Sequence, residues 1–177
     1  PVKRWIAQFM DDALRFHAAG KPLPASRHLL LSGKLGTGRR TAATLIAQAF
    51  HAAGVFQTAA LSEDNPPKAG RVVFLDKVKA DKAKDMNKLV EALNAQSEST
   101  GVPAFIVLAC RDAHTLTTVA GQMTTLQKRE PHKLALQPHS SLELAKITLQ
   151  KVAAKMTLGR DVTVALVQAA IEHRWCE

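Results

Sequence analysis

A glycine-rich segment, Gly33-Lys34-Leu35-Gly36-Thr37-Gly38, follows a short apolar run and precedes a helical pattern. Glycines in this setting let backbone N–H groups face an anion, and the N-terminus of the following helix adds its positive dipole. The segment therefore predicts a phosphate-binding loop, with a plain glycine-rich turn as the alternative. The residues expected to contact the phosphates of ATP or ADP are Gly33, Leu35, Gly36, Thr37, Gly38, Arg39, Arg40 and Thr41.

Two arginines stand where nucleotide hydrolysis needs other residue types. A hydrolysing loop continues with Lys, which reaches the outer phosphates, and then with Ser or Thr, whose hydroxyl binds Mg²⁺. Here Arg39 and Arg40 occupy those places, and a guanidinium repels a metal ion instead of ligating it. Thr41 comes one residue late, which turns it ~100° away around a helix. We therefore expect ATP or ADP to bind weakly at most and Mg²⁺ coordination to be impaired, and we predict no separate metal site.

A second motif lies at the end of the apolar run 71–76. In nucleotide hydrolases such a strand supplies an acid near the metal, followed by a Glu that orients the attacking water. Asp76 keeps the first acid, whereas Lys77 stands in the place of the Glu. Asp76 is thus a candidate catalytic remnant, and a strand-end acid that pairs with nearby lysines is the alternative.

Strand and helix patterns alternate along the chain and predict an α/β fold with a parallel sheet between two helical layers, as in P-loop nucleoside triphosphatases. Apolar runs predict strands over 28–31, 55–61, 71–76, 103–109 and 133–136. Helical spacing predicts an amphipathic leading helix over 2–18 and further helices over 42–50 and 86–96.

Two helices without intervening strands are expected to close the chain. Ser140 and Glu143 have the spacing of a capping box at the start of the first, and Asp161 is expected to cap the second. We therefore predict an α/β domain over 1–138 and a small helical domain over 139–177.

The stretch HLLLSGKLGTGRRTAATLIAQAF resembles the first nucleotide-binding motif of AAA+ ATPases. It looks closest to the branch that contains the red-type rubisco activase CbbX and the sporulation protein SpoVK, in which the loop reads GNPGTGKTT. The leading helix, RVVFLDK, PAFIVLA and the helix start at Ser140 extend the resemblance over most of residues 1–177. The resemblance implies an AAA+ large subdomain followed by a helical lid, here truncated, and assembly with other AAA+ subunits.

The family also places an arginine finger, which reaches the nucleotide of a neighbouring subunit, between positions 126 and 138. Arg129 is the nearest match there, and an ordinary surface arginine is the alternative. The chain departs from the family at both catalytic motifs. It also departs between 54 and 71, where the family's helix and aromatic pore loop have no counterpart, and after the fourth strand, where Cys110 and Arg111 replace the expected polar sensor.

Composition limits the class of protein and its partners. A hydrophobic share of 46% supports a packed core, and a net charge of +9 suits phosphate-rich ligands, nucleic acid or an acidic protein surface. The two cysteines form no disulfide framework, so we expect an intracellular, cytoplasmic protein. No apolar run is long enough for a membrane span, so we expect no membrane partner. The absence of an initial Met suggests a piece of a longer protein.

These features predict a catalytically impaired AAA+-like domain, a pseudo-ATPase that serves as a scaffold or regulatory module. Its expected partners are proteins: AAA+ subunits or other domains of the same protein. The first alternative is an active ATP-dependent remodelling ATPase of the CbbX and SpoVK type. The second is a basic nucleic-acid-binding module, which no recognition motif in the sequence favours.

Overall fold

The computed structural model describes residues 2–20, 28–62, 68–76, 78–102, 104–127, 131–157, 159 and 162–175. The chain divides into two compact units, the first ending at Leu136 and the second beginning at Gln137. No helix within the described ranges combines the length and the apolar character that a bilayer crossing requires.

The first unit is built on a four-stranded parallel sheet. Its strands are β1 (Leu29–Ser32), β2 (Val72–Leu75), β3 (Phe105–Cys110) and β4 (His132–Ala135), in the spatial order β2-β3-β1-β4. Leu29 of β1 is aligned with Val107 of β3 on one side and with His132 of β4 on the other. The predicted α/β class with a parallel sheet is therefore confirmed, and four of the five predicted strands are present within one or two residues of their expected bounds.

Helices cover both faces of this sheet, which gives three layers. Helices α1 (Val2–Ala18) and α2 (Arg39–Ala52) lie on one face of the sheet. There the ring centroid of Phe9 lies 5.6 Å from that of Phe50 and 5.3 Å from that of Phe105. A 3-10 turn (Ala80–Lys82) and helices α3 (Ala83–Thr100), α4 (Ala113–Gln122) and α5 (Thr124–Gln127) cover the other face. Successive residues of a strand point to opposite faces, so Leu31 joins the first core and Leu30 joins the second.

The strand predicted over 55–61 is wrong. Residues 53–61 form turns and bends, and the segment reaches the sheet only through a single parallel bridge between Ser62 and Val73. The amides of Val55 and Phe56 donate to the carbonyl of Phe50, at 2.9 and 3.4 Å, and His51 Nδ1 lies 3.0 Å from the carbonyl oxygen of Phe56. These bonds fold the segment back onto the end of α2 and bury Phe56 in the core, so its backbone cannot extend along the sheet.

Helix α4 was not anticipated by the sequence patterns. Asp112 begins it as an N-cap, because its Oδ2 accepts hydrogen bonds from the Thr115 amide at 2.6 Å and from the Thr115 hydroxyl at 2.8 Å. These bonds, the amide bond foremost, hold the pKa of the Asp112 carboxyl below its ordinary value. Asp112 therefore has a structural task in helix capping.

The second unit is a pair of helices, α6 (Ser141–Ala153) and α7 (Val164–Trp175). The predicted capping box is confirmed: Ser140 Oγ accepts from the Glu143 amide at 3.2 Å, and the Ser140 amide donates to Glu143 Oε2 at 2.9 Å. Asp161, the expected cap of the last helix, lies outside the described residues. The hydroxyl oxygen of Thr163 accepts a hydrogen bond from the Leu166 amide at 3.3 Å in the first turn of α7.

Candidate phosphate-binding site

Three loops meet at the carboxyl edge of the sheet, because all four strands run in the same direction. Gly33 follows β1, Asp76 follows β2 and Arg111 follows β3. The Gly33 amide donates to the carbonyl of Cys110 at 3.1 Å, which ties the glycine-rich loop to the end of the neighbouring strand. Ligands of open α/β sheets bind at this edge, so the predicted loop lies where a phosphate site is expected.

The glycine-rich loop has a defined, closed conformation. The amide and the hydroxyl of Thr37 both donate to the carbonyl of Lys34, at 3.3 and 2.8 Å, and the Thr37 side chain is buried. A Cβ on Gly33 would lie 2.5 Å from Thr37 Oγ1, so this close approach requires glycine. Gly36 has φ +82°, and Leu35 is 74% exposed at the tip of the loop.

Helix α2 begins directly after the loop. Its N-cap, Gly38, lies in the left-handed region with φ 87° and provides no side-chain hydrogen bond to the helix. The first turn of any α-helix has N–H groups without an intrahelical acceptor, and the helix dipole adds the equivalent of about half a positive charge there. The start of α2 can therefore stabilise an anion.

The side chain of Arg39 points into the protein and pairs with the strand-end acid. Its Nη2 atom lies 3.4 Å from Asp76 Oδ1, and the Arg39 side chain is 7% exposed whereas that of Asp76 is 33% exposed. Nη1 of Arg39 is also buried and has no hydrogen-bond partner. The guanidinium thus joins the start of α2 to the end of β2 through an ion pair, while its buried Nη1 group has no hydrogen-bond partner.

A magnesium ion does not fit this arrangement. In a working site the strand-end acid holds the metal shell, but here Asp76 faces a guanidinium at ion-pair distance. A dication beside that buried positive charge is repelled, and Arg39 cannot act as a metal ligand. An oxyanion fits better, because the unpartnered Nη1 group and the start of α2 both favour negative charge.

Two more predicted site residues, Arg40 and Thr41, follow Arg39 in the first turn of α2. Arg40 and Thr41 are exposed on the first turn of α2, and the carbonyl of Arg40 accepts a hydrogen bond from Thr44 Oγ1 at 3.0 Å. Arg129, the arginine-finger candidate, and Lys77 lie outside the described residues. Across the ranges given above, no three His, Cys, Asp or Glu side chains are grouped as a metal would require.

Two features of the site were missed from the sequence. The first is the lock between Thr37 and Lys34, which only the conformation of the loop reveals. The second is the Arg39–Asp76 pair. The sequence offered the signal, since both residues follow strands that end at the same edge, but Asp76 was assigned to a metal or to lysines.

The chain matches no protein-family model. A comparison with curated proteins likewise finds no match.

Proposed function

We propose that the first unit is an AAA+-like domain that does not hydrolyse ATP and serves as a scaffold or regulatory module. Support comes from the order β2-β3-β1-β4 with the glycine-rich loop after β1, an arrangement compatible with a P-loop fold. The resemblance of the loop to the first AAA+ motif points the same way. The partners expected for such a domain are AAA+ subunits or other domains of the same protein.

The ion pair between Arg39 and Asp76 carries the proposal. Phosphoryl transfer depends on positioning and charge stabilisation by a metal, a Lys and a water-orienting acid acting together. In this chain the acid is engaged by the residue that replaces the Lys, and Arg40 replaces the metal-binding hydroxyl. The loop keeps its glycines and the helix start that favours an anion, while the groups required for turnover are absent or occupied.

Binding and turnover can be separated by experiment. With ATP and Mg²⁺, the 177-residue chain should release no phosphate above a protein-free control. Calorimetry with ATP or ADP should detect weak binding that does not require Mg²⁺. Arg39→Gln should weaken this binding by up to about tenfold, because it removes a positive charge beside the start of α2 and leaves the negative charge of Asp76 uncompensated. Arg4→Gln, the same change at an exposed position of α1, is the matched control and should leave binding unaltered.

Two results would refute the proposal. Turnover that Asp76→Ala abolishes would show that the strand-end acid still serves catalysis. Tight binding that depends on Mg²⁺ would show that Arg39 leaves Asp76 when a metal arrives. Either result would favour the active remodelling ATPase instead.

A further inference from the structure

A second polar cleft lies at the amino edge of the sheet, at the opposite end of the strands from the glycine-rich loop. It has a volume of 390 Å³ and is formed by the turn before β2, the segment after α2, the end of α3 and Val102, which lies three residues before β3. The residues that line it are Gln57, Thr58, Ala69, Gly70, Arg71, Gln96, Thr100 and Val102. The cleft belongs entirely to the first unit.

Arg71 supplies the charge of this cleft. Its side chain is half-buried, and its Nε atom is fully buried with no hydrogen-bond partner. A buried donor without an acceptor is unfavourable, and the guanidinium edge formed by Nε and one Nη matches the two oxygens of a carboxylate or phosphate. Among the described residues that line the cleft none is acidic, and Arg71 is the one with a charge.

The neutral groups around Arg71 are arranged mainly as donors. The Oε1 atom of Gln96 accepts from the Ala69 amide at 3.1 Å, which leaves the Gln96 NH₂ group to donate. Thr58 Oγ1 accepts from the Ala60 amide at 3.1 Å, which leaves its O–H to donate. Thr100 donates its own O–H to the carbonyl of Gln96 at 2.7 Å, so this hydroxyl lines the cleft without a proton to donate to a ligand. Spare donors around a cation favour an anionic ligand.

The turn before β2 holds Arg71 in this position. Gly70 has φ +84°, a backbone conformation that favours glycine, and a Cβ there would lie 3.0 Å from Val102 Cγ1. The chain therefore passes close to the segment before β3, and the hydrogen bond from Ala69 to Gln96 fastens it to α3. Arg71 enters the cleft from a turn that is fixed on both sides.

We propose that this cleft binds the carboxylate or phosphate group of a small organic ligand, with Arg71 as its charge partner. The volume of 390 Å³ lies within the usual range of small-molecule sites. The oxyanion pairs with the Arg71 guanidinium where that group lines the cleft, and Thr58 and Gln96 donate to the remaining oxygens. The site is independent of the glycine-rich loop, and the proposed function can fail without affecting it.

The test is a titration of the ¹⁵N-labelled 177-residue chain, followed by NMR at constant ionic strength. Succinate is the carboxylate probe, and inorganic phosphate is the phosphate probe. Binding should move the Nε–H signal of Arg71 and the amide signals of Gly70 and Gln96 saturably. A response to succinate alone identifies a carboxylate ligand, a response to phosphate alone a phosphorylated one, and a response to both a general oxyanion site. Sodium chloride should produce no saturable change.

Two pairs of variants decide whether Arg71 is responsible. Arg71→Gln should weaken the affinity at least about tenfold, as expected for a lost charge-assisted contact, whereas Arg4→Gln at an exposed position of α1 should not. Gln57 is exposed, so Gln57→Glu tests the cleft even if Arg71→Gln does not fold. The new carboxylate should weaken anion binding, whereas Gln150→Glu in the second unit should not. Absence of a saturable response to either probe, or responses that Arg71→Gln and Gln57→Glu leave unchanged, would overturn the proposal.

Discussion

Replacing Asp76 with Asn tests whether the Arg39–Asp76 pair stabilises the first unit. The change leaves the Arg39 guanidinium, which is 7% exposed, without its charged acceptor at 3.4 Å. Removing one partner of a fully buried pair costs about 3–5 kcal/mol, whereas surface pairs contribute about 0–1 kcal/mol. Because Asp76 is 33% exposed, solvent screens part of the interaction. We expect the free energy of unfolding to fall by about 1–3 kcal/mol.

Urea unfolding followed by hydrogen exchange of the β1 and β3 amides would measure this loss in the first unit. Asp81→Asn is the matched control: Asp81 is an exposed acid in the 3-10 turn, and its loss should cost less than about 0.5 kcal/mol. In the double variant with Arg39→Met, no buried charge is left unpaired, so the penalty of Asp76→Asn should largely disappear. A stabilising role of the pair is refuted if Asp76→Asn lowers the free energy of unfolding no more than Asp81→Asn does. It is also refuted if Asp76→Asn has the same effect whether position 39 is Arg or Met.

Three further predictions concern the loop and the second unit. Gly33→Ala places a Cβ 2.5 Å from Thr37 Oγ1 and should lower the free energy of unfolding by about 1–3 kcal/mol, measured by thermal unfolding. Gly36→Ala meets open space but keeps φ +82°, so it should lower the free energy of unfolding by about 1 kcal/mol. Equal losses for the two variants would contradict the close approach of Gly33 to Thr37. Ser140→Ala removes the cap of α6 and should lower the stability of this helix by about 1 kcal/mol, measured as faster amide hydrogen exchange in its first turn. Unchanged exchange would contradict the capping box. The Ser140 amide and hydroxyl lower the pKa of Glu143 below its ordinary value of 4.5. The contribution of Glu143 to stability should therefore be present above about pH 4.5 and be lost as the pH falls through the lower folded-state pKa. A carboxyl NMR titration of Glu143 with a midpoint at or above 4.5 would contradict this prediction.

Sequence patterns predicted the elements whose signals are local and strong. The β-branched and apolar runs around Val73 and Val107 became buried strands, and the Ser140–Glu143 spacing became a capping box. Helix α4 was missed because its many threonines weaken the helical signal, although Asp112 and Thr115 carry a capping pattern. The segment 55–61 was mistaken for a strand because tertiary bonds to the end of α2 outweigh its β propensity.

The sequence predicted where the backbone places the site residues better than it predicted the directions of their side chains. The placement of Gly33 and Asp76 at one edge of the sheet follows from parallel strands alone. The direction of Arg39 does not, because a long side chain at the start of a helix can turn to solvent or to the interior, and the choice depends on the space left beside Asp76. The closed loop likewise depends on the fit of Thr37 against Gly33.

The central position of β1 affects the order in which the chain can fold during synthesis. Leu29, Leu30 and Leu31 are synthesised before their partners on both sides, which belong to β3 and β4 and begin at Phe105 and His132. At ribosomal rates of about 5–20 residues per second, these leucines wait on the order of 5–15 s for their first neighbouring strand. Until then no sheet can close around them, and the three leucines are open to chaperones and to unwanted association. A strand that is buried along its whole length in the finished protein is thus exposed for several seconds while the protein is being made.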